Sequence, residues 1–125
     1  MPFQYILANV LADTEGAIGV LFFDESGETV DLASSEMTPY DLRVLGAYLG
    51  ISLRQLRRAL DDTGAGVPRL LHVERSGLHV HAITLPEGYT LAVVQRPPAL
   101  AGRVRRGLER AAAQIRREVF DQSRG

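Results

Sequence analysis

Residues 17–23, AIGVLFF, form an apolar run without a polar side chain. A strand with one face in water alternates apolar and polar side chains, whereas a strand covered on both faces is apolar throughout. At seven residues, the run is also far too short to cross a bilayer as a helix. We therefore predict a central β-strand here, in a sheet that other elements cover on both faces.

The residues on either side of this run predict a helix before it and a hairpin after it. An i, i+3, i+4, i+7, i+8 spacing is typical of a short helix that buries one face. The apolar residues with this spacing are Phe3, Ile6, Leu7, Val10 and Leu11. After the run, Glu25-Ser26-Gly27 predicts a turn with glycine in the left-handed conformation. In residues 28–34, apolar and polar side chains alternate more than in residues 17–23, as expected for an edge strand.

A long middle helix is predicted to begin at Thr38-Pro39-Tyr40-Asp41. The threonine can cap the helix, the proline suits its first turn, and the aspartate favours the positive end of the helix dipole. We expect the helix to run to about Leu60 and to end at Asp61-Asp62-Thr63-Gly64. One stripe of it should pack on the sheet, comprising Leu42, Leu45, Leu49, Leu53, Leu56 and Leu60.

The second half of the chain predicts three strands and a last helix. The strands are expected at Arg69–Arg75, Leu78–Leu85 and Tyr89–Arg96, separated by glycine-containing turns. Pro97-Pro98 opens a helix that runs to about Phe120. Its buried stripe is expected to comprise Leu100, Val104, Leu108, Ala111, Ile115 and Val119.

The predicted order of elements is α-β-β-α-β-β-β-α. Two hairpin-type blocks around one helix make a single antiparallel sheet with helices on its faces, an α+β architecture. A chain of 125 residues can bury a substantial core but is too short for two domains. We expect a single domain over residues 1–125, with a core over about 3–120 and a frayed tail at 121–125.

The composition excludes several kinds of chemistry. The chain has no cysteine, which removes disulfides, thiolate metal ligands and thiol nucleophiles. All 14 basic residues are arginine, so no lysine can contact a phosphate or form a Schiff base. The first residues lack the positive region of a signal peptide, and we expect a cytoplasmic protein without a membrane partner. A net charge of −1 gives no general affinity for nucleic acid.

The middle helix has a second apolar face, opposite its leucine stripe. At 100° per residue, four apolar residues lie about 140–240° around the helix from Leu42. One helix cannot pack two opposite faces on one sheet, so this face needs a second molecule or other parts of the chain to cover it. Between the two faces, Gly46 and Gly50 would let another backbone approach closely. The predicted self-association surface therefore comprises Val44, Gly46, Ala47, Tyr48, Gly50 and Ile51.

Three histidines and a glutamate lie on one predicted hairpin. If Ser76-Gly77 forms a two-residue turn, Glu74 pairs with His79 and His72 pairs with His81. A zinc or iron ion could then reach three imidazoles and a carboxylate, although a one-residue slip in register would separate them. The cluster could instead be a pH-sensitive patch or a set of histidines without a ligand. We predict no cofactor, and the candidate metal ligands are His72, Glu74, His79 and His81.

Arginines are concentrated in two parts of the chain. Residues 1–42 contain eight acidic residues and no arginine, whereas residues 43–58 contain four arginines and no acidic residue. This asymmetry can stabilise the fold internally, contact an acidic partner or the acidic third of a second subunit, or leave a solvated flank. The candidate partner contacts are Arg43, Arg54, Arg57 and Arg58. For the last helix we expect solvated or ion-paired side chains rather than nucleic-acid contacts at Arg103, Arg106, Arg110 and Arg117.

The order of elements and two passages resemble the roadblock/dynein light-chain family, and especially its bacterial members of the mutual-gliding protein B group. The passages are residues 6–34, ILANVLADTEGAIGVLFFDESGETVDLAS, and residues 99–119, ALAGRVRRGLERAAAQIRREV. The likeness covers about residues 3–120 and lies in hydrophobicity and turns, because no short motif in it is diagnostic. The absence of lysine and the short first helix depart from the family's pattern.

The resemblance implies a five-stranded antiparallel sheet with the middle helix on one face and the two terminal helices on the other. It also implies a homodimer with paired middle helices and joined edge strands, which here would involve Leu70 and His72. Family members are generally adaptors or regulators of Ras-like small GTPases rather than enzymes. We therefore expect a non-enzymatic homodimeric regulator of such a GTPase without catalytic residues. The alternatives are a scaffold subunit without a GTPase partner, a metal-binding protein or a nucleic-acid module.

Overall fold

The computed structural model describes residues 3–66, 68–75, 77–97 and 101–121. In chain order the main elements are α1 (Phe3–Asp13), β1 (Ala17–Phe23), β2 (Thr29–Ser34), α2 (Pro39–Thr63), β3 (Leu70–Arg75), β4 (Leu78–Thr84), β5 (Thr90–Gln95) and α3 (Ala101–Ile115). A 3-10 turn spans Pro86–Gly88, and a π-helical segment, Arg116–Asp121, follows α3. The predicted order α-β-β-α-β-β-β-α is confirmed.

The strands form one antiparallel sheet of five strands in the order β2-β1-β5-β4-β3. Strand β1 lies between β2 and β5, and every residue from Ile18 to Phe23 is buried. The apolar run is therefore a strand covered on both faces, as predicted. Strands β2 and β3 are the two edges, and the outer backbone groups of an edge strand can pair with another chain.

Helices cover both faces of the sheet. Helices α1 and α3 lie on one face, where they bury side chains that include Phe22, Leu91 and Ile83. Helix α2 lies on the opposite face and packs against β1 and β2, with Leu42 and Leu49 in its core. The α+β architecture that the resemblance implied, with the middle helix alone on one face, is confirmed.

Both ends of α2 are capped. Thr38 Oγ1 accepts a hydrogen bond from the Asp41 backbone N–H at 3.1 Å. At the other end Gly64 adopts a φ of 69°, and its N–H donates back into the last turn at 3.3 Å. The helix therefore ends at Thr63 rather than at Leu60, because the residues predicted to close it form its last turn.

The leucine stripe of α2 is only partly buried, and Leu45 and Leu60 are half-buried. Leu42, Leu49 and Leu53 are buried, whereas Leu56 is 37% exposed. A helix of 25 residues is about 37 Å long at 1.5 Å per residue. The strands beneath it have six or seven residues, about 20–23 Å. Helix α2 is therefore longer than the strands on which it packs.

The last helix changes type near its end. It is a regular α-helix to Ile115 and continues as a π-helical segment to Asp121, so the predicted end near Phe120 is confirmed and only the last turns are wider. The wider turns accompany packing of Phe120 against Tyr89, whose ring centroids are 5.7 Å apart. Of the predicted stripe, four residues are buried: Val104, Leu108, Ala111 and Ile115.

Other predicted features of the C-terminal region lie outside the described residues. These are the helix start at Pro98, the stripe residue Leu100, the side chain of Val119 and the tail at 122–125. The last three strands are described, and each end lies within one residue of the prediction. Among the described residues, no helix is both long and apolar enough to cross a membrane.

Candidate functional site

The second apolar face of α2 is exposed. Val44, Tyr48 and Ile51 retain 37%, 67% and 43% of their accessible surface, and Ala47 is exposed as well. Helices α1 and α3 lie on the other side of the sheet, so they cannot cover this face. A contiguous exposed apolar surface is typical of a site that binds another protein. We call these four residues the apolar α2 face.

Gly46 and Gly50 are buried against the β1–β2 turn (residues 24–28) and strand β1 of the same chain. A Cβ added to Gly50 would lie 2.7 Å from the Gly27 Cα, and one added to Gly46 would lie 2.6 Å from Leu21 Cδ2. Gly27 itself has a φ of +83°, which glycine adopts without strain. The predicted close approach is therefore made by the chain's own turn and not by another molecule. The two glycines belong to the fold, which corrects their placement on the self-association surface.

The four arginines of α2 have different environments. Arg54 Nη1 donates to the backbone carbonyl of Glu25 at 2.6 Å, which holds its charge at the β1–β2 turn. Arg57 is half-buried and lines a small cavity beside the same turn. Arg43 and Arg58 are exposed. Of the predicted partner contacts, Arg43 and Arg58 are thus available, whereas Arg54 is engaged within the fold.

Edge strand β3 presents different side chains on its two faces. Leu70 is half-buried and packs against the core beneath α1 and α3. His72 is exposed on that face. On the face that carries α2, Leu71 is half-buried and Val73 is 38% exposed. Apolar side chains are therefore accessible on the α2 side of this edge.

The hairpin register predicted for β3 and β4 is confirmed, and it brings the three histidines together. His72 pairs with His81, and Glu74 pairs with His79. One ring nitrogen from each histidine lies within 4.8 Å of the others. His72 Nε2 is 3.1 Å from His79 Nδ1, and the rings of His72 and His81 stack with centroids 4.4 Å apart. We call His72, His79 and His81 the histidine cluster.

Glu74 lies behind the histidine cluster rather than within it. Its Oε1 is 3.7 Å from His79 Nε2, the ring nitrogen that faces away from His72. Its side chain is 69% exposed. Of the four candidate metal ligands, the structure thus gathers three and places the fourth beside the outer nitrogen of one of them.

A buried glutamine orients His81. Gln95 is 2% exposed, and its Nε2 donates to the backbone carbonyl of Glu15 at 2.6 Å. Its Oε1 lies 3.2 Å from His81 Nε2 and therefore accepts from it, which leaves the lone pair of neutral His81 on Nδ1. Gln95 was absent from the predicted site, although the polar residue that closes the apolar strand TLAVVQ is a signal for it.

The environment of His81 opposes its protonation. Burial lowers the pKa of His81, and the charges of His72 and His79 lower it further. The hydrogen bond with Gln95 acts in the opposite direction. The neutral imidazole is therefore the form that the fold favours.

The lowered pKa of His81 predicts that stability decreases as the pH falls below about 6.5. The unfolded chain takes up this proton near the ordinary value of 6.5, whereas the folded chain takes it up only at lower pH. Between the two pKa values the unfolded state binds more protons, so the free energy of unfolding falls with pH. Urea unfolding with a chelator present, at about pH 7.5 and about pH 5.5, should show this decrease. A His81→Gln variant with an equal decrease would contradict the assignment.

A polar cleft of about 290 Å³ lies between α1 and α3. Ile6 and Val104 contribute apolar lining, and Gln95 contributes polar lining. Arg103 and Arg110, two of the arginines that the sequence places on the last helix, also line it. The cleft had no signal in the sequence, because its two walls are formed by helices from opposite ends of the chain.

Solved structures match nearly the whole chain, although no protein-family model and no curated protein matches its sequence. A roadblock/LC7 domain from Streptomyces avermitilis has a TM-score of 0.84 at 15% identity and covers 94% of this chain and 97% of that chain. The gliding protein MglB from Thermus thermophilus has a TM-score of 0.83 at 18% identity and covers 94% of this chain and 87% of that chain. An MglB structure with a tetrameric arrangement gives the same values.

These matches define the class of fold. The three helices and the five-stranded antiparallel sheet of this chain form the roadblock fold. Within that class, the similar structures include the gliding protein MglB. The likeness that the sequence showed to roadblock domains is thereby confirmed as a likeness of fold.

Proposed function

We propose that this protein is a non-enzymatic homodimeric adaptor that binds or regulates a Ras-like small GTPase in the cytoplasm. The observation that carries the proposal is the apolar α2 face, which is exposed on a chain with the roadblock fold. The sequence resemblance to the roadblock family implies the same role, since members of that family pair and act on small GTPases rather than as enzymes.

Two features of the chain support pairing. The apolar α2 face is a single strip on one helix, and a strip that packs on its own copy across a two-fold axis is self-complementary. Strand β3 is an edge whose backbone can accept a strand from a second chain. Pairing through both would bury the apolar α2 face and continue the sheet into the partner. The tetrameric arrangement of one MglB structure also supports assembly.

The exposed arginines of α2 support a contact with a further partner. Arg43 and Arg58 lie on the same helix as the apolar α2 face, and paired helices would bring both copies of each arginine near the interface. A basic rim of this kind favours binding to an acidic surface. An adaptor that binds one nucleotide state of a GTPase more tightly than the other shifts the GTPase toward that state. We assign no residue to catalysis.

Partner capture in two nucleotide states tests the proposal. Tagged protein is incubated with a native lysate, once with a non-hydrolysable GTP analogue and once with GDP, and retained proteins are identified by mass spectrometry. We expect a small GTPase to be retained more strongly in one nucleotide state, by roughly 5- to 150-fold, the usual range for coupled binding.

Two variants with the same added charge test whether retention of the GTPase depends on the apolar α2 face. Ile51→Glu places a carboxylate in the apolar α2 face and should lose the GTPase. Ala12→Glu places one on the exposed side of α1, on the opposite face of the sheet, and should retain it. Recovery of non-GTPase proteins alone, or a GTPase retained equally by both variants, would contradict the proposal and favour a scaffold subunit.

A further inference from the structure

The function proposed above uses strand β3 as a pairing edge but does not use the imidazoles of the histidine cluster. The cluster lies on the sheet face opposite α2 and offers three nitrogen ligands to one ion. Two of its rings also contact a neighbouring polar side chain, Glu74 or Gln95. We propose that His72, His79 and His81 bind one zinc-like transition-metal ion within a single chain.

The distances in the cluster are close to those of a metal site. With zinc–nitrogen bonds of about 2.0–2.1 Å, two ligand nitrogens of a tetrahedral site lie about 3.3 Å apart. His72 Nε2 and His79 Nδ1 are already 3.1 Å apart. The three ligand nitrogens lie within 4.8 Å of one another. The rings are stacked within 21° of parallel, so they must turn before all three lone pairs meet at one ion. His72 is exposed on the edge strand, where a turned ring meets solvent.

For two of the histidines, the outer ring nitrogen has a partner, which leaves the inner nitrogen for a metal. His81 Nε2 donates to Gln95 Oε1 at 3.2 Å, so its Nδ1 is the free nitrogen. His79 Nε2 faces Glu74 Oε1 at 3.7 Å, so its Nδ1 points toward His72. A ligand histidine whose other nitrogen donates to a carboxylate or a carbonyl oxygen is the common arrangement around zinc. Glu74 and Gln95 are therefore positioning residues for the metal ligands.

The ligand set selects the class of metal. Three imidazole nitrogens suit Zn²⁺, Ni²⁺ or Cu²⁺, whereas Mg²⁺ and Ca²⁺ prefer oxygen ligands. The chain contains no cysteine, so no thiolate competes for the ion. The exposure of His72 leaves the fourth coordination position open to a water molecule.

Zinc titration of the untagged protein tests the site. The chain has three histidines in total, so a histidine tag must be absent and every imidazole signal belongs to the cluster. After treatment with a chelator, competition against a chromophoric zinc indicator should give one Zn²⁺ per chain. Co²⁺ should give the strong visible absorption of a tetrahedral complex, and the NMR signals of all three histidine rings should shift.

Substitutions separate direct ligands from outer contacts. Glu74→Gln should weaken zinc binding by roughly 10- to 100-fold, as the loss of an outer contact does elsewhere. His72→Ala and His72→Gln remove a ligand at an exposed position and should weaken binding more. Glu28→Gln makes the same charge change as Glu74→Gln at the opposite end of the sheet and should leave the affinity unchanged.

Three results would overturn the site. The first is wild-type protein that binds no zinc, and the second is wild-type affinity in a folded His72→Ala protein. The third is a stoichiometry of one zinc per two chains, because the ion would then be shared between copies. Circular dichroism of each variant establishes that it is folded.

Discussion

Replacing Gly50 by alanine should destabilise the protein by about 2 kcal/mol, in the range for overpacked interiors. The added Cβ would lie 2.7 Å from the Cα and 3.0 Å from the N of Gly27, and both are backbone atoms that cannot rotate away. To make room, the β1–β2 turn must move away from α2. This movement also strains the hydrogen bond that Arg54 donates to the backbone carbonyl of Glu25. The gain in helix propensity, about 1 kcal/mol, is too small to compensate.

The same substitution in α3 provides a control of opposite sign. A Cβ added to Gly107 meets no described heavy atom within 4 Å. Gly107→Ala should therefore stabilise the protein by about 0.5–1 kcal/mol, because alanine loses less backbone entropy in a helix. Urea unfolding followed by circular dichroism measures both variants. Stabilisation by Gly50→Ala would show that α2 and the turn are not in tight contact.

The features of the fold that follow from local pattern could be predicted from the sequence. The apolar run at 17–23 required cover on both faces of its sheet, and β1 has it. The register of β3 and β4 followed from one two-residue turn, since strand periodicity then decides which side chains share a face. The convergence of the histidines rests on that register, so it too was predictable.

Features that depend on contacts between distant parts of the chain could not be predicted. The helical pattern of α2 shows the direction in which Gly50 points, but it does not show that Gly27 lies there. For the same reason, Arg54 could be placed on a flank of α2 but not on the carbonyl of Glu25. The polar end of the strand TLAVVQ marks Gln95, but its partners Glu15 and His81 lie on two other segments and could not be predicted.

The two proposed sites lie on opposite faces of the sheet. The apolar α2 face is on the side of α2, whereas the histidine cluster shares the side of α1 and α3. Substitutions at one site therefore leave the side chains of the other in place. Strand β3 carries His72 and is also the proposed pairing edge, so the two proposals are separated by their measurements. Mass reports self-association, whereas stoichiometry and affinity report metal binding.

In the proposed homodimer, Ile51→Glu should shift the equilibrium to monomers and raise the Kd by at least about 100-fold. A two-fold interface contains each residue twice, so one substitution buries two carboxylates. A cost of about 1.4 kcal/mol for each suffices for a hundredfold effect, and an unpaired buried charge usually costs more. The fold of the single chain should tolerate the change, because Ile51 is 43% exposed in it.

Light scattering after size-exclusion chromatography, repeated over a range of concentrations, measures this effect. Ala12→Glu adds the same charge on the opposite side of the sheet and should leave the mass at the wild-type value. Tyr48→Ala, which removes apolar area without adding a charge, should weaken the dimer less than Ile51→Glu. A dimer that survives Ile51→Glu at low concentration would place the interface elsewhere, and edge strand β3 would then be the surface to test. If the wild-type chain is monomeric at every concentration, pairing is removed from the proposed function. The apolar α2 face would then be available only to the GTPase partner.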